Sequence, residues 1–91
     1  MKVLPKKIDE LINLATMEKQ VLFDKVLVVA LQFPNGFVLV GVGACVDPKE
    51  FDEKIGLTVA LEDIANQLWK LEGYLLQEIL YRGQDNELSR I

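Results

Sequence analysis

The feature that most constrains the fold is one apolar periodicity running from Asp47 to Leu80. Leu57, Leu61, Ile64, Ala65, Leu68, Leu75, Leu76, Ile79 and Leu80 recur at helical spacing, which places them on one helix face. Trp69 and Leu71 widen the stripe. Asp47-Pro48-Lys49-Glu50 reads as its start: an aspartate to cap, a proline at the first position, and a glutamate able to reach back to the cap amide. Phe51 and Ile55 share a face. Gly56 either weakens the helix or marks a tight contact, and Gly73 is the expected kink or break. After Tyr81 the string RGQDNELSRI loses the periodicity, with Gly83 as an expected stop. The rest of the chain is expected to supply a partner for this face.

That partner is read as a short helix and a hairpin. Pro5 suits a first helical turn, and Ile8, Leu11, Ile12 and Ala15 follow one helix face, so a first helix is expected over about Pro5 to Glu18. Val21 to Phe33 is dense in β-branched and aromatic residues and reads as a strand. Both of its alternating sets are apolar, so it is expected to be covered on both faces. Asn35-Gly36 is the hairpin turn, since both residues tolerate positive φ. Phe37 to Cys45 is the return strand, in which Gly41 and Gly43 point to a bulge or a close backbone approach. No third strand is evident. A lone two-stranded hairpin is marginal in water, so the sheet is expected to be completed by another copy. The expectation is a single α+β domain over residues 1–91, in the order α-β-β-α.

Composition supports self-association. Hydrophobic residues make up 51% of the 91, and mean hydropathy is +0.21. A chain of this size buries only ~60% of its unfolded surface, so the apolar excess implies an exposed patch and a homo-oligomer. Ten basic against 14 acidic residues give a net charge of −4, whereas a duplex-binding protein needs a basic face to release counterions, so nucleic acid is not an expected partner. Local clusters such as Lys2, Lys6 and Lys7 could supply a basic patch, but a solvated helix face explains them. Cys45 is the one cysteine, which excludes an intrachain disulfide and fits a reducing cytosol. MKVLPKKIDEL is broken by charges and is not read as a signal peptide. The longest apolar run, Val26 to Leu31, is far short of the ~20 residues that span a bilayer, so no membrane association is expected.

Little in the chain can carry catalysis. There is no histidine, which removes Ser-His-Asp and Cys-His chemistry and the commonest zinc ligand. Ser89 lies in the aperiodic tail. Cys45 ends an apolar strand and reads as a buried thiol, although the following helix start could activate it. The carboxylates Asp47, Glu50, Asp52, Glu53, Glu62, Asp63, Glu72 and Glu78 read as hydrated helix faces, and none has calcium-loop spacing. Glu72 stands apart because it lies inside the apolar stripe. The expectation is a protein with no enzymatic activity, metal or cofactor. The segment Gly41 to Ala44 could show amides to an anion near a helix start, yet it matches neither a Walker loop nor a dinucleotide fingerprint. Packing is the competing role of these glycines. Candidate ligand-binding residues are Gly41, Gly43, Asp47, Lys49 and Lys54, with Trp69 and Tyr74 as aromatic anchors. Lys25, Lys70 and Arg82 are further anion partners.

The string FPNGFVLVGVGACVDPKEFDEKIGLTVALEDIANQLWKLEGYLL resembles a family of small tailed-phage and prophage proteins. The family is typified by gene 49 of an N4-like podovirus and gene 66 of a Shigella phage. The resemblance rests on Asn35-Gly36-Phe37, Gly41, Ala44-Cys45-Val46, Asp47-Pro48, Phe51-Asp52, Ile55-Gly56, Ala60, Glu62, and Trp69 with Leu71-Glu72-Gly73-Tyr74-Leu75-Leu76. It departs at Val42-Gly43, where relatives have glutamate-serine, at Lys70, where they have proline, and near Leu61, where they have tyrosine. It implies an accessory protein made in the host bacterial cytoplasm. By analogy with other small phage proteins, two roles follow: an oligomeric sponge for an immune nucleotide messenger, or an inhibitor of a host defence or metabolic enzyme, as anti-CRISPR proteins are. A carboxylate-only enzyme and a virion assembly protein are weaker alternatives.

Overall fold

The computed structural model describes residues 2–84. The tail from residue 85, with Ser89, lies outside the described residues. In order, the chain forms α1 (Pro5–Leu14), β1 (Thr16–Leu22), β2 (Val26–Gln32), β3 (Val38–Ala44), a 3₁₀ turn (Pro48–Glu50) and α2 (Glu53–Gln84). The three strands make one antiparallel sheet in the order β1-β2-β3. The expected α+β order of short helix, hairpin and long helix holds, with one strand added.

That strand corrects two boundaries. The first helix stops at Leu14, not Glu18: Ala15 is already extended at φ −79°, ψ 152°. Residues Thr16–Leu22 pair along their whole length with β2. Cross-strand pairing here outweighs the helical preference of Met17, Glu18 and Lys19. The strand expected over Val21 to Phe33 is therefore two, folded at Phe23-Asp24. Both turn residues have positive φ, 55° and 52°, and Lys25 N–H donates to the Leu22 carbonyl at 3.0 Å. Two successive left-handed residues are what a tight hairpin requires, but Phe-Asp does not advertise it. With the third strand supplied by the chain itself, a lone hairpin no longer argues for a second copy.

The turn at Asn35-Gly36 is present with a different geometry. Only Gly36 is left-handed, at φ 91°. The Phe33 carbonyl accepts from Gly36 N–H at 2.8 Å, and Phe33 N–H donates to the Phe37 carbonyl at 2.9 Å. The loop thus has three residues, Pro34 to Gly36, with proline where φ is fixed and glycine at the left-handed position. Asn35 Oδ1 accepts from Phe37 N–H at 3.0 Å and ties the turn together.

The helix expected from Asp47 begins later. Asp47 Oδ1 accepts Lys49 N–H at 2.9 Å, but it caps only the 3₁₀ turn. Asp52 takes over as the cap of α2, with Oδ1 accepting Lys54 N–H at 2.9 Å. From there α2 runs 32 residues. It does not break at Gly73, whose position has open space around it and needs no compensating contact. One glycine costs a helix only ~1 kcal/mol, less than the packing on either side supplies.

α2 lies across β2 and β3, and the core sits between them. Leu27, Val29, Leu31 and Leu39 from the sheet meet Ala60, Ile64 and Leu68 from α2, with Ile8 of α1 and Phe33 closing one end. Leu27, Leu31, Ile64 and Val29 are fully buried, and each contributes ~1.5–3 kcal/mol by leaving water. Helix and strand approach so closely that Gly41 and Gly43 are required. A methyl at Gly41 would come within 2.2 Å of the Ala60 carbonyl oxygen, and one at Gly43 within 2.1 Å of that of Gly56.

The second half of α2 carries past the sheet. The radius of gyration, 16.9 Å, exceeds the ~12 Å of a compact domain of this length. Tyr74, Leu75, Ile79 and Tyr81 on this arm are all more than half exposed.

Candidate functional site

The candidate residues fall into three places. Gly41 and Gly43 are buried against α2, so the packing role is the one the structure shows for them. Asp47, Lys49 and Lys54 are exposed around the 3₁₀ turn and the first turn of α2. The Asp47 and Asp52 carboxylates accept the Lys49 and Lys54 amides, so two of the local backbone donors are already engaged. Trp69 and Tyr74 are exposed on the arm. Twenty residues of helix separate Lys54 from Tyr74, about 30 Å at 1.5 Å per residue. Within one chain these residues do not form a single site.

Two grooves flank the arm. One, of about 440 Å³, lies between α1 and α2, with an apolar floor of Val3, Leu4, Leu75, Leu76 and Ile79. Its rim carries Lys2, Lys6 and Lys7 against Glu10 and Glu72. The other, of about 370 Å³, runs under the β2–β3 loop between Phe33, Phe37, Leu68, Leu71 and Leu75. Glu72 and Leu75 line both, so the arm forms a shared wall. Glu72 is half-buried and sits where the two grooves meet. The lysine cluster, which the sequence presents as a solvated face, gains a place only because α1 folds back beside the arm.

The remaining candidates are placed simply. Lys25 follows the first hairpin turn and Lys70 is exposed on α2. Arg82 Nε donates to Glu78 Oε1 at 2.8 Å. Lys19 Nζ lies 3.1 Å from Glu53 Oε1 and joins β1 to the start of α2. The half-buried Cys45 thiol donates to the Asp47 carbonyl at 3.1 Å. No described polar or charged residue is buried. Among the described residues no cluster of three His, Cys, Asp or Glu side chains is arranged to hold a metal ion, and no helix is long and apolar enough to cross a membrane.

Residues 3–80 match the model of the phage protein (N4 Gp49/phage Sf6 gene 66) family. The chain belongs to this family. The match takes in α1, all three strands and α2 as far as Leu80. No curated protein and no solved structure matches the chain.

Proposed function

We propose that this Gp49/gene 66 family member is a non-enzymatic phage accessory protein acting in the host bacterial cytoplasm. It associates with copies of itself and sequesters a small anionic ligand, a nucleotide messenger of host immunity. The observation that carries this reading is the groove between α1 and the arm, where three lysines rim an apolar floor. A nucleotide asks for that pairing, cationic groups for phosphate and an apolar surface for the base. Self-association accounts for the apolar surface left on one copy.

The test is a thermal-shift and calorimetry screen against cyclic di- and trinucleotides and cyclic ADP-ribose isomers. Binding of one of these, with intact ligand recovered after denaturation, supports the sponge. Silence across the whole set counts against it. A second reading, inhibition of a host enzyme by direct docking, is favoured by the exposed aromatics Trp69, Tyr74 and Tyr81 on the arm, because such residues anchor protein interfaces. A stable complex recovered from host lysate and lost on Tyr74→Ala selects this reading.

A further inference from the structure

The sheet has a second face, and no other described element covers it. Residues paired across the strands share a face: Val26 with Ala44, Val28 with Val42, Ala30 with Val40, and Gln32 with Val38. Leu22, Gln20, Glu18 and Thr16 of β1 extend the same rows. α2 occupies the opposite face, so Val38, Val40 and Val42 remain nearly half exposed, at 48%, 48% and 44%. We infer that this open valine face is the surface through which two copies of the chain stack, sheet on sheet, with β3 of one over β3 of the other. The inference rests on the self-association proposed above and names where it occurs.

Three observations select a second copy and select the face. First, the face is close to charge-free: Glu18 is the only ionisable residue among its twelve positions, in a chain that is 26% charged. Loss of charge at the centre is what marks an interface core, and a face without charge meets no repulsion from its own image. Second, both sheet edges are guarded while the face is not. On β3, Gln67 Nε2 reaches from α2 to occupy the Val40 carbonyl at 2.9 Å. On β1, Lys19 is held by Glu53. A side chain on a backbone acceptor and a charge beside an edge strand both hinder strand addition. Third, the size fits a modest dimer. Three strands of seven residues each span ~23 Å by ~14 Å at ordinary strand spacings. With rim side chains, two stacked faces bury on the order of 800–1,000 Å², below the ~1,200–2,000 Å² of stable interfaces and in the range of weak, transient ones. The dimer is therefore weak and reversible, and aligned stacking places Thr16, Glu18 and Gln20 at the wet rim.

Sedimentation equilibrium of the whole chain from micromolar to millimolar concentration tests this. The wild type is expected to show a reversible monomer–dimer equilibrium. Val40→Glu should weaken it at least ~tenfold. Val40→Thr, which keeps the side-chain shape and the strand preference, should weaken it in the same direction with an unchanged circular dichroism spectrum. Ile79→Glu, on the arm, should leave it unchanged. Association lost with Ile79→Glu and untouched by either Val40 variant overturns the face and leaves self-association standing. A wild type that stays a single chain throughout overturns both. The nucleotide screen bears on neither outcome.

Discussion

Gly43→Ala should be among the most damaging single-methyl additions in this protein. The new Cβ would lie 2.1 Å from the Gly56 carbonyl oxygen and 2.7 Å from its carbon and Cα. All three are backbone atoms, so no rotamer change relieves the clash. Restoring an ordinary separation near 3.5 Å requires α2 to retreat by about 1.4 Å. A gap of that size forfeits roughly half of the dispersion energy across the seam where Leu27, Val29 and Ile64 meet. Overpacking usually costs ~1–3 kcal/mol, and a rigid backbone obstacle puts this site at the upper end, about 3 kcal/mol. Gly41→Ala faces the Ala60 carbonyl oxygen at 2.2 Å and should cost a similar amount. Gly73→Ala provides the opposite sign. Nothing lies within 4 Å of its Cβ position, and alanine is the better helix former by ~1 kcal/mol. Urea unfolding at fixed protein concentration, followed by helical circular dichroism, reads all three. If Gly43→Ala falls within ~0.5 kcal/mol of wild type, the close helix–strand contact is not what the glycine is for.

Other substitutions test smaller parts of the account. Phe23→Asn should stabilise by ~1 kcal/mol in the same urea assay, because Phe23 is 87% exposed and held at φ 55°, a region that penalises Cβ-bearing residues and suits asparagine better. Asp52→Ala should cost ~1 kcal/mol by removing the α2 cap, whereas Asp47→Ala should cost less, since it caps only the short turn. Breaking the exposed Lys19–Glu53 pair with Lys19→Met should change stability by no more than ~0.5 kcal/mol at moderate salt; a larger loss would mean the pair does more than close an edge.

What could be read from residues alone follows from how local each signal is. The long stripe from Leu57 to Leu80 identified α2 because its periodicity repeats over many turns, and the density of β-branched residues on either side of Asn35-Gly36 identified β2 and β3. β1 escaped because TMEKQVL carries mostly polar residues and is fixed by pairing with β2, a contact that no local pattern announces. The turn at Phe23-Asp24 escaped because its residues are atypical for positive φ. Asp47 has the pattern of a helix start yet caps only the 3₁₀ turn, and Asp52, which reads as a carboxylate on a hydrated helix face, caps α2. The glycines show the same limit in the site. Gly41 and Gly43 signalled a close backbone approach, and the structure shows what approaches: the α2 backbone. The groove beside Lys2, Lys6 and Lys7 depends on α1 returning alongside the arm, which spacing within either helix does not encode.

The central claim is that this chain works by binding, as a complex of identical copies. Native mass spectrometry of the protein purified from infected or lysogenic cells tests it most directly. The account predicts a mass at a multiple of the 10.3 kDa chain, accompanied by a small non-protein adduct that denaturation releases. A bare single-chain mass, without adduct, that persists as the protein is concentrated to the millimolar range would contradict it.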